Sequence, residues 1–271
     1  MTTPPPGLPE RAARPGSSTA RGGNPFGLVE ALIGFAAAEV LASIALAAFG
    51  AASGHPNHLK TFGADLANLA GVWTGFFGAV VLASLIWHRR RGEAPGRLSE
   101  RWRRVRADYG IAISPWPDIP LGLVVGVASQ YLLVPVFEAP LLPFVPHLYQ
   151  RLGGPAHQLT STTQGVSLAV LGLFLCVGAP FVEECFFRGL LLRALVGRLG
   201  VLGERLGPAV AILLSALVFG LAHFEPLQFL GLAGFGALLA LLARRTGRLG
   251  AGMVAHLSFN AVTVIALALA R

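Results

Sequence analysis

Seven long apolar runs divide this chain and limit the folds that are open to it. They lie near residues 26–50, 66–87, 119–142, 166–192, 208–224, 227–243 and 251–270. Most of them reach the roughly 20 residues that a helix needs to cross ~30 Å of hydrocarbon. Only 13% of the 271 residues are charged, against about 25% in a soluble domain. Because backbone polar groups in lipid must bond within the chain, the sequence predicts an all-α, polytopic integral membrane bundle with about seven spans.

The segments outside these runs are polar or basic. Residues 1–24 are rich in proline, glycine, serine and arginine and have no apolar face, which predicts a disordered tail. The fifth and sixth runs are short and meet at Glu225–Pro226. This pair is expected to form either one tight hairpin or a broken element.

The placement of arginine predicts the orientation of the bundle. Every second connection is basic, and residues 89–106 alone contain eight arginines. The positive-inside rule therefore predicts a multi-pass protein of the cell membrane with a cytoplasmic N-terminus and the C-terminus outside. The net charge of +8 is explained by these topology signals, so we expect the lipid bilayer as a partner and no nucleic acid.

One basic connection, RLSERWRRVRADYG, has a pattern of its own. Leu98, Trp102, Val105 and Tyr109 recur at helical spacing with arginines between them. The pattern fits an interfacial helix whose arginines contact anionic headgroups. A solvated basic linker fits equally well.

The fourth run contains three charges in the stretch APFVEECFFRG, residues 179–189. Glu184 and Arg188 are four residues apart, so they share a helix face and can pair. Glu183 projects about 100° away from Glu184, which predicts a free carboxylate suited to acid–base work. The other interpretation is that all three charges form a buried packing clasp.

Two later runs contain further polar residues in spans. His223 ends the fifth run, and His256 and Asn260 lie four residues apart on one face of the seventh. Counting from the predicted cytoplasmic ends places Glu183 and His223 ~18 and ~22 Å deep and His256 ~9 Å deep, so helix tilt must bring them together. The alternatives are an interfacial His223 and a helix–helix hydrogen bond from His256.

Two hydrolytic mechanisms fit this set in the C-terminal half. In one, Glu183 and His223 activate a water while His256 and Asn260 donate hydrogen bonds to the oxyanion. In the other, Glu183, His223 and His256 bind Zn²⁺, and a zinc-bound water attacks.

Four further residues have weaker signals. Glu39 is expected to face the bundle interior and Glu138 to lie at the membrane interface, neither with a functional role. Cys176 and Cys185 are about 13 Å apart along one helix, too far for a mutual disulfide. They are interpreted as small packing residues.

The ordered set E-E-x-x-x-R, F-x-x-x-H and H-x-x-x-N resembles the CPBP family of CAAX-box prenyl-protein endopeptidases and bacteriocin-processing enzymes, also called Abi. The resemblance runs from about Val166 to Ala261. It implies a helical bundle with a catalytic cavity in the C-terminal half. It also implies catalytic roles for Glu183, His223, His256 and Asn260 and supporting roles for Glu184 and Arg188. Both metal-dependent and glutamate-dependent mechanisms are associated with such proteins.

The resulting division of the chain is a cytoplasmic tail (1–24), the first two spans with the arginine-rich loop (25–117) and a catalytic membrane core (118–271). The expected function is an intramembrane endopeptidase that cleaves a membrane-associated protein or peptide. A non-catalytic immunity or scaffold protein of the same fold is the first alternative. A transporter with Glu39 and Glu183 as proton relays is the second, although no inverted repeat supports it.

Overall fold

The computed structural model describes residues 27–53, 62–94, 96–161 and 165–269. Within these ranges the chain forms nine helical segments and no β-strand. They are α1 (Leu28–Ser53), α2 (Phe62–Arg90), α3 (Leu98–Tyr109), α4 (Pro115–Leu141), α5 (Leu148–Ser161), α6 (Val166–Leu202), α7 (Leu206–Leu221), α8 (Phe229–Thr246) and α9 (Gly250–Leu269). The predicted disordered tail lies outside the described residues.

Six of these helices are long and apolar enough to cross a membrane: α1, α2, α4, α6, α8 and α9. The seventh predicted span, α7, is apolar but has 16 residues, which extend only ~24 Å. The polytopic helical membrane bundle is therefore confirmed, with six full-length candidate spans and one short helix. The predicted orientation and domain division stay predictions.

The structure differs from the sequence prediction at several boundaries. The region between the third and fourth runs contains α5, a helix with no apolar run to predict it. Helix α6 continues to Leu202, ten residues beyond the predicted end. Helices α7 and α8 pack against each other on either side of Glu225–Pro226, so this pair forms a hairpin.

Small residues bring α1 and α2 into close contact. A Cβ atom on Gly75 would lie 2.3 Å from the Cα of Ala38, and one on Gly71 would lie 2.5 Å from the Cα of Ala42. Four-residue spacing of small residues is a common way for helices to approach closely in lipid. Aromatic stacking then joins α2 to α6, because the Phe76 ring lies 4.3 Å from the ring of Phe186.

Helix α3 packs on the bundle through its C-terminal end. Val105 and Tyr109 are buried, whereas Leu98 at the other end is exposed. Arg193 of α6 donates hydrogen bonds to the carbonyl oxygens of Asp108 and Tyr109 at 2.7 and 2.9 Å. Of the two interpretations of this segment, the helix is the one that the structure shows, and its contact with lipid headgroups stays a prediction.

The start of α4 is fixed to the α8–α9 connection by an ion pair. The Arg248 guanidinium donates to both carboxylate oxygens of Asp118, at 2.8 and 2.7 Å. Further along, the hydroxyl oxygen of Ser258 lies 3.2 Å from the carbonyl oxygen of Gly122. These contacts bring α4 against α9, the helix that carries His256.

Helices α4 and α6 contain π-helical stretches, at Ser129–Leu133, Phe174–Gly178 and Glu184–Leu191. A π turn bonds residue i to i+5, and such turns occur frequently at functional sites. The third stretch begins at the second of the two adjacent glutamates.

The structure also places the weaker candidates. Glu39 is partly buried, and its orientation toward the bundle interior stays a prediction. Glu138 is only 5% exposed, so it is buried within the protein near the end of α4, and its expected depth at the membrane interface stays a prediction. A glycine on α8, Gly231, leaves room for its carboxylate inside the bundle. Cys176 and Cys185 are both free thiols.

Candidate active site

The centre of the candidate site is a buried ion pair on α6. Arg188 Nη1 donates to Glu184 Oε1 at 2.9 Å, and neither side chain is exposed. This is the pairing that the four-residue spacing predicts. Two desolvated charges are stable in such a place only when their remaining polar atoms are also paired.

Neighbouring helices supply some of these further contacts to Arg188, although its Nε and Glu184 Oε2 are buried without a hydrogen-bond partner among the described residues. Its Nη2 donates to the carbonyl oxygen of Gly236 on α8 at 3.1 Å. Its guanidinium also lies 4.2 Å from the ring centroid of Phe219 on α7, within the range of a cation–π interaction. Arg188 therefore ties α6 to both helices of the α7–α8 hairpin.

Glu183 lies beside this pair without joining it. Its side chain is 17% exposed, and its Oε2 is buried without a hydrogen-bond partner. The nearest cationic or neutral base is His256, whose Nε2 lies 3.8 Å from Oε2. This distance exceeds that of a direct hydrogen bond.

His256 is oriented by the other glutamate. Its Nδ1 lies 3.2 Å from Glu184 Oε1, so an Nδ1–H can donate to that carboxylate. In the neutral ring this leaves Nε2 as an acceptor facing Glu183. Gly252, one turn earlier on α9, accommodates the Glu184 carboxylate, because a Cβ there would lie 3.0 Å from Oε2. The four-residue spacing predicts only the pairing of Glu184 with Arg188 and gives no indication of this contact with α9.

His223 reaches the cluster through an aromatic neighbour. Its Nδ1–H donates to the carbonyl oxygen of Phe219 at 2.8 Å, which leaves Nε2 as an acceptor. The Phe219 ring lies 4.8 Å from the His223 ring and 5.6 Å from the His256 ring. Both histidines thus contact Phe219, which lies on α7 one turn before His223 in the chain.

Asn260 is held by α6. Its Nδ2 donates at 2.8 Å to the carbonyl oxygen of Leu175, which lies in the π-helical stretch Phe174–Gly178. One Nδ2–H remains for another acceptor. Sequence spacing placed Asn260 on the face of His256 but gave no indication of this partner on α6.

The predicted zinc ligands do not form a metal site in this arrangement. Within the part of the chain that the structure describes, no group of three or more His, Cys, Asp or Glu side chains is arranged to hold a metal ion. His256 faces one carboxylate with each ring nitrogen, while His223 contacts a backbone carbonyl. Zinc stays a prediction.

Comparison with known proteins locates a family match in the region of these residues. Residues 165–262 match the family model described as Type II CAAX prenyl endopeptidase Rce1-like. No curated protein and no solved structure matched the chain. The matched segment contains Glu183, Glu184, His223, His256 and Asn260, and it agrees with the resemblance predicted from their motifs. The C-terminal part of this multi-pass membrane protein thus matches a family of endopeptidases, the type II CAAX prenyl endopeptidase Rce1-like family.

Proposed function

We propose that the chain is an intramembrane endopeptidase that hydrolyses a peptide bond of a membrane-associated protein or peptide. One observation carries the proposal. Glu183 has a buried carboxylate oxygen without a partner, 3.8 Å from the Nε2 of a histidine whose other nitrogen faces Glu184. A carboxylate inside a membrane protein is costly, and an unpaired one beside a histidine suits acid–base chemistry.

The spacing of these two atoms suits a shared water molecule. A water about 2.8 Å from both Glu183 Oε2 and His256 Nε2 would form a triangle with them, since normal hydrogen-bond distances are 2.5–3.2 Å. Glu183 takes a proton from this water while the water oxygen attacks the carbonyl carbon of the substrate. The same proton then passes to the leaving amine as the C–N bond breaks.

The surrounding residues position these groups. Glu184 holds the His256 ring, and Arg188 in turn holds Glu184 through the 2.9 Å ion pair. Asn260 keeps one Nδ2–H, which we assign to the oxyanion. His223, with Nδ1 on the Phe219 carbonyl, is assigned as a second proton acceptor through Nε2.

A Glu183→Gln variant tests the central assignment. Cleavage of a membrane-associated substrate by the purified protein in lipid should fall by about 10²–10⁴-fold, the usual contribution of a general base. Glu39→Gln is the matched control, because it removes a carboxylate from another span and should leave cleavage unchanged. Undiminished cleavage by Glu183→Gln would refute the proposed role.

The zinc alternative and the non-catalytic alternative have separate tests. The zinc alternative is tested by measuring the metal content of the purified protein and the sensitivity of its cleavage activity to a chelator. Stoichiometric zinc, with cleavage lost on chelation and restored by zinc, would contradict water activation by Glu183 and His256 alone. Alanine at both His223 and His256 decides the second, because an immunity or scaffold protein would keep its cellular phenotype in that variant.

A further inference from the structure

A second polar site lies in a cavity away from the ion pair. The cavity has a volume of about 410 Å³ and lies between α4, α5, the start of α8 and one face of α9. The α9 wall is formed by Phe259, Val262, Thr263, Ala266 and Leu267, which recur at the spacing of a single helix face. Against this largely apolar wall, α4 contributes Gln130 and Glu138.

Glu138 is the notable group in this cavity. It is 5% exposed, yet among the described residues it has no ion-pair or hydrogen-bond partner. The other fully buried acids of the bundle, Asp118 and Glu184, are each paired with an arginine. An unpaired carboxylate at such a place calls for a counter-charge.

The backbone of α8 is shaped around this carboxylate. A Cβ atom on Gly231 would lie 3.1 Å from Glu138 Oε1, closer than side-chain atoms normally approach. Glycine at this position therefore gives the carboxylate space to lie against α8 and still line the cavity.

The other polar groups in the cavity indicate the chemistry of a ligand. Gln130 Oε1 is buried without a donor, and Gln228 is held in place by donating its Nε2–H to the carbonyl oxygen of Leu152 at 3.0 Å. An amide oxygen and a carboxylate both accept hydrogen bonds, so the matching group is a donor with positive charge. The rings of Tyr131 and Tyr149 also line the cavity, and aromatic faces attract cations.

The cavity shares a wall with the candidate active site. Phe259 lines the cavity, and its ring stacks on Phe235 at 4.1 Å. The Phe235 ring in turn lies 5.7 Å from the His256 ring. Gly231, which faces Glu138, precedes Phe235 on α8 by one turn, or ~6 Å.

We propose that this cavity is a subsite for a cationic side chain, lysine or arginine, of the peptide substrate, with Glu138 as its counter-charge. The proposal rests on the proposed function. An extended peptide advances about 3.3 Å per residue, so the basic residue lies within about four positions of the cleaved bond. Its aliphatic stem packs on Leu232 and Phe259, and its charged group reaches Glu138 and Gln130.

Binding to a non-cleaving form of the full chain tests the subsite apart from catalysis. The Glu183→Gln protein in lipid nanodiscs is titrated with fluorescent peptides that carry lysine, norleucine or glutamate at each position near the cut site. At one position the lysine peptide should bind about tenfold more tightly than the norleucine peptide, as expected for a hydrogen bond to a charged group. Glu138→Gln in the same background should abolish that ratio, and Glu138→Lys should transfer the preference to glutamate.

Two controls keep the result interpretable. Glu39→Gln, which removes an acid from α1, should leave the lysine preference unchanged, and thermal melting of each variant reports whether it is folded. Equal affinity for lysine and norleucine at every position would overturn the proposal, as would a lysine preference that persists in Glu138→Gln. Because affinity is measured without turnover, a failure of the proposed hydrolysis appears separately, as absence of cleavage by the parent protein or as undiminished cleavage by Glu183→Gln.

Discussion

Replacing Glu184 with glutamine should destabilise the bundle strongly, because it removes the negative partner of a guanidinium that has no contact with solvent. Arg188 would keep its 3.1 Å hydrogen bond to Gly236 and its contact with Phe219 but lose the 2.9 Å ion pair. Breaking a buried pair in this way costs about 3–5 kcal/mol. At about 2–4 °C per kcal/mol for a chain near this size, the melting temperature should fall by roughly 6–20 °C.

Two matched variants separate the effect of breaking the ion pair on stability from the effect of removing a carboxylate. Glu183→Gln removes the adjacent acid, whose buried oxygen has no partner, and should change the melting temperature by less than about 2 °C. The double variant Glu184→Gln/Arg188→Met removes the charge that the single variant leaves unpaired. It should recover most of the lost stability, because replacing a whole buried pair is often neutral.

Thermal unfolding in detergent micelles, followed by far-ultraviolet circular dichroism, measures all three variants against the parent protein. The reasoning fails if Glu184→Gln melts within 2 °C of the parent. It also fails if the double variant is less stable than the single one, since the cost would then come from lost packing and not from the unpaired charge.

Two further predictions concern the N-terminal half. Gly75→Leu should lower the melting temperature through overpacking that costs about 1–3 kcal/mol or more, because a Cβ at this position would clash with the backbone of α1. The control is Gly78→Leu, which has open space around its Cβ and should melt near the parent protein. A hydrogen bond from His88 lowers the pKa of Glu93. This contact therefore stabilises the α2–α3 connection at pH values above 4.5, the ordinary pKa of the group. The stabilisation is lost as the pH falls from 4.5 through the lowered pKa. Limited proteolysis of that connection should therefore speed up in acid in the parent but not in Glu93→Gln, and equal acid sensitivity in both would contradict the assignment.

The sequence was sufficient for those features that depend on local spacing. Apolar runs located six full-length helices, because length and hydropathy are properties of one segment at a time. The pairing of Glu184 with Arg188 followed from a four-residue interval on one helix. Its geometry is present in the structure even though the pair lies in a π-helical stretch.

Features that depend on contacts between neighbouring helices could not be predicted from the sequence in the same way. Glu138 is buried because a glycine of α8 gives it space, and no property of its own segment indicates that partner. Asn260 bonds to Leu175, 85 positions away, at a carbonyl in a π turn that the sequence did not predict. Helix α5 has no apolar run, so hydropathy could not distinguish it from a loop.

The contacts of Arg193 have a consequence for how much sequence change this region can accept. Its guanidinium is bound to carbonyl oxygens of residues 108, 109 and 247, and every amino acid carries a carbonyl. The three receiving positions can therefore change side chain without losing the acceptor, whereas the arginine has no substitute with the same fork of donors. Saturation mutagenesis should therefore find position 193 intolerant at this junction of α3, α6 and the α8–α9 turn. Substitutions of Asp108 should act instead through its carboxylate, which accepts hydrogen bonds from Ser84 and His88.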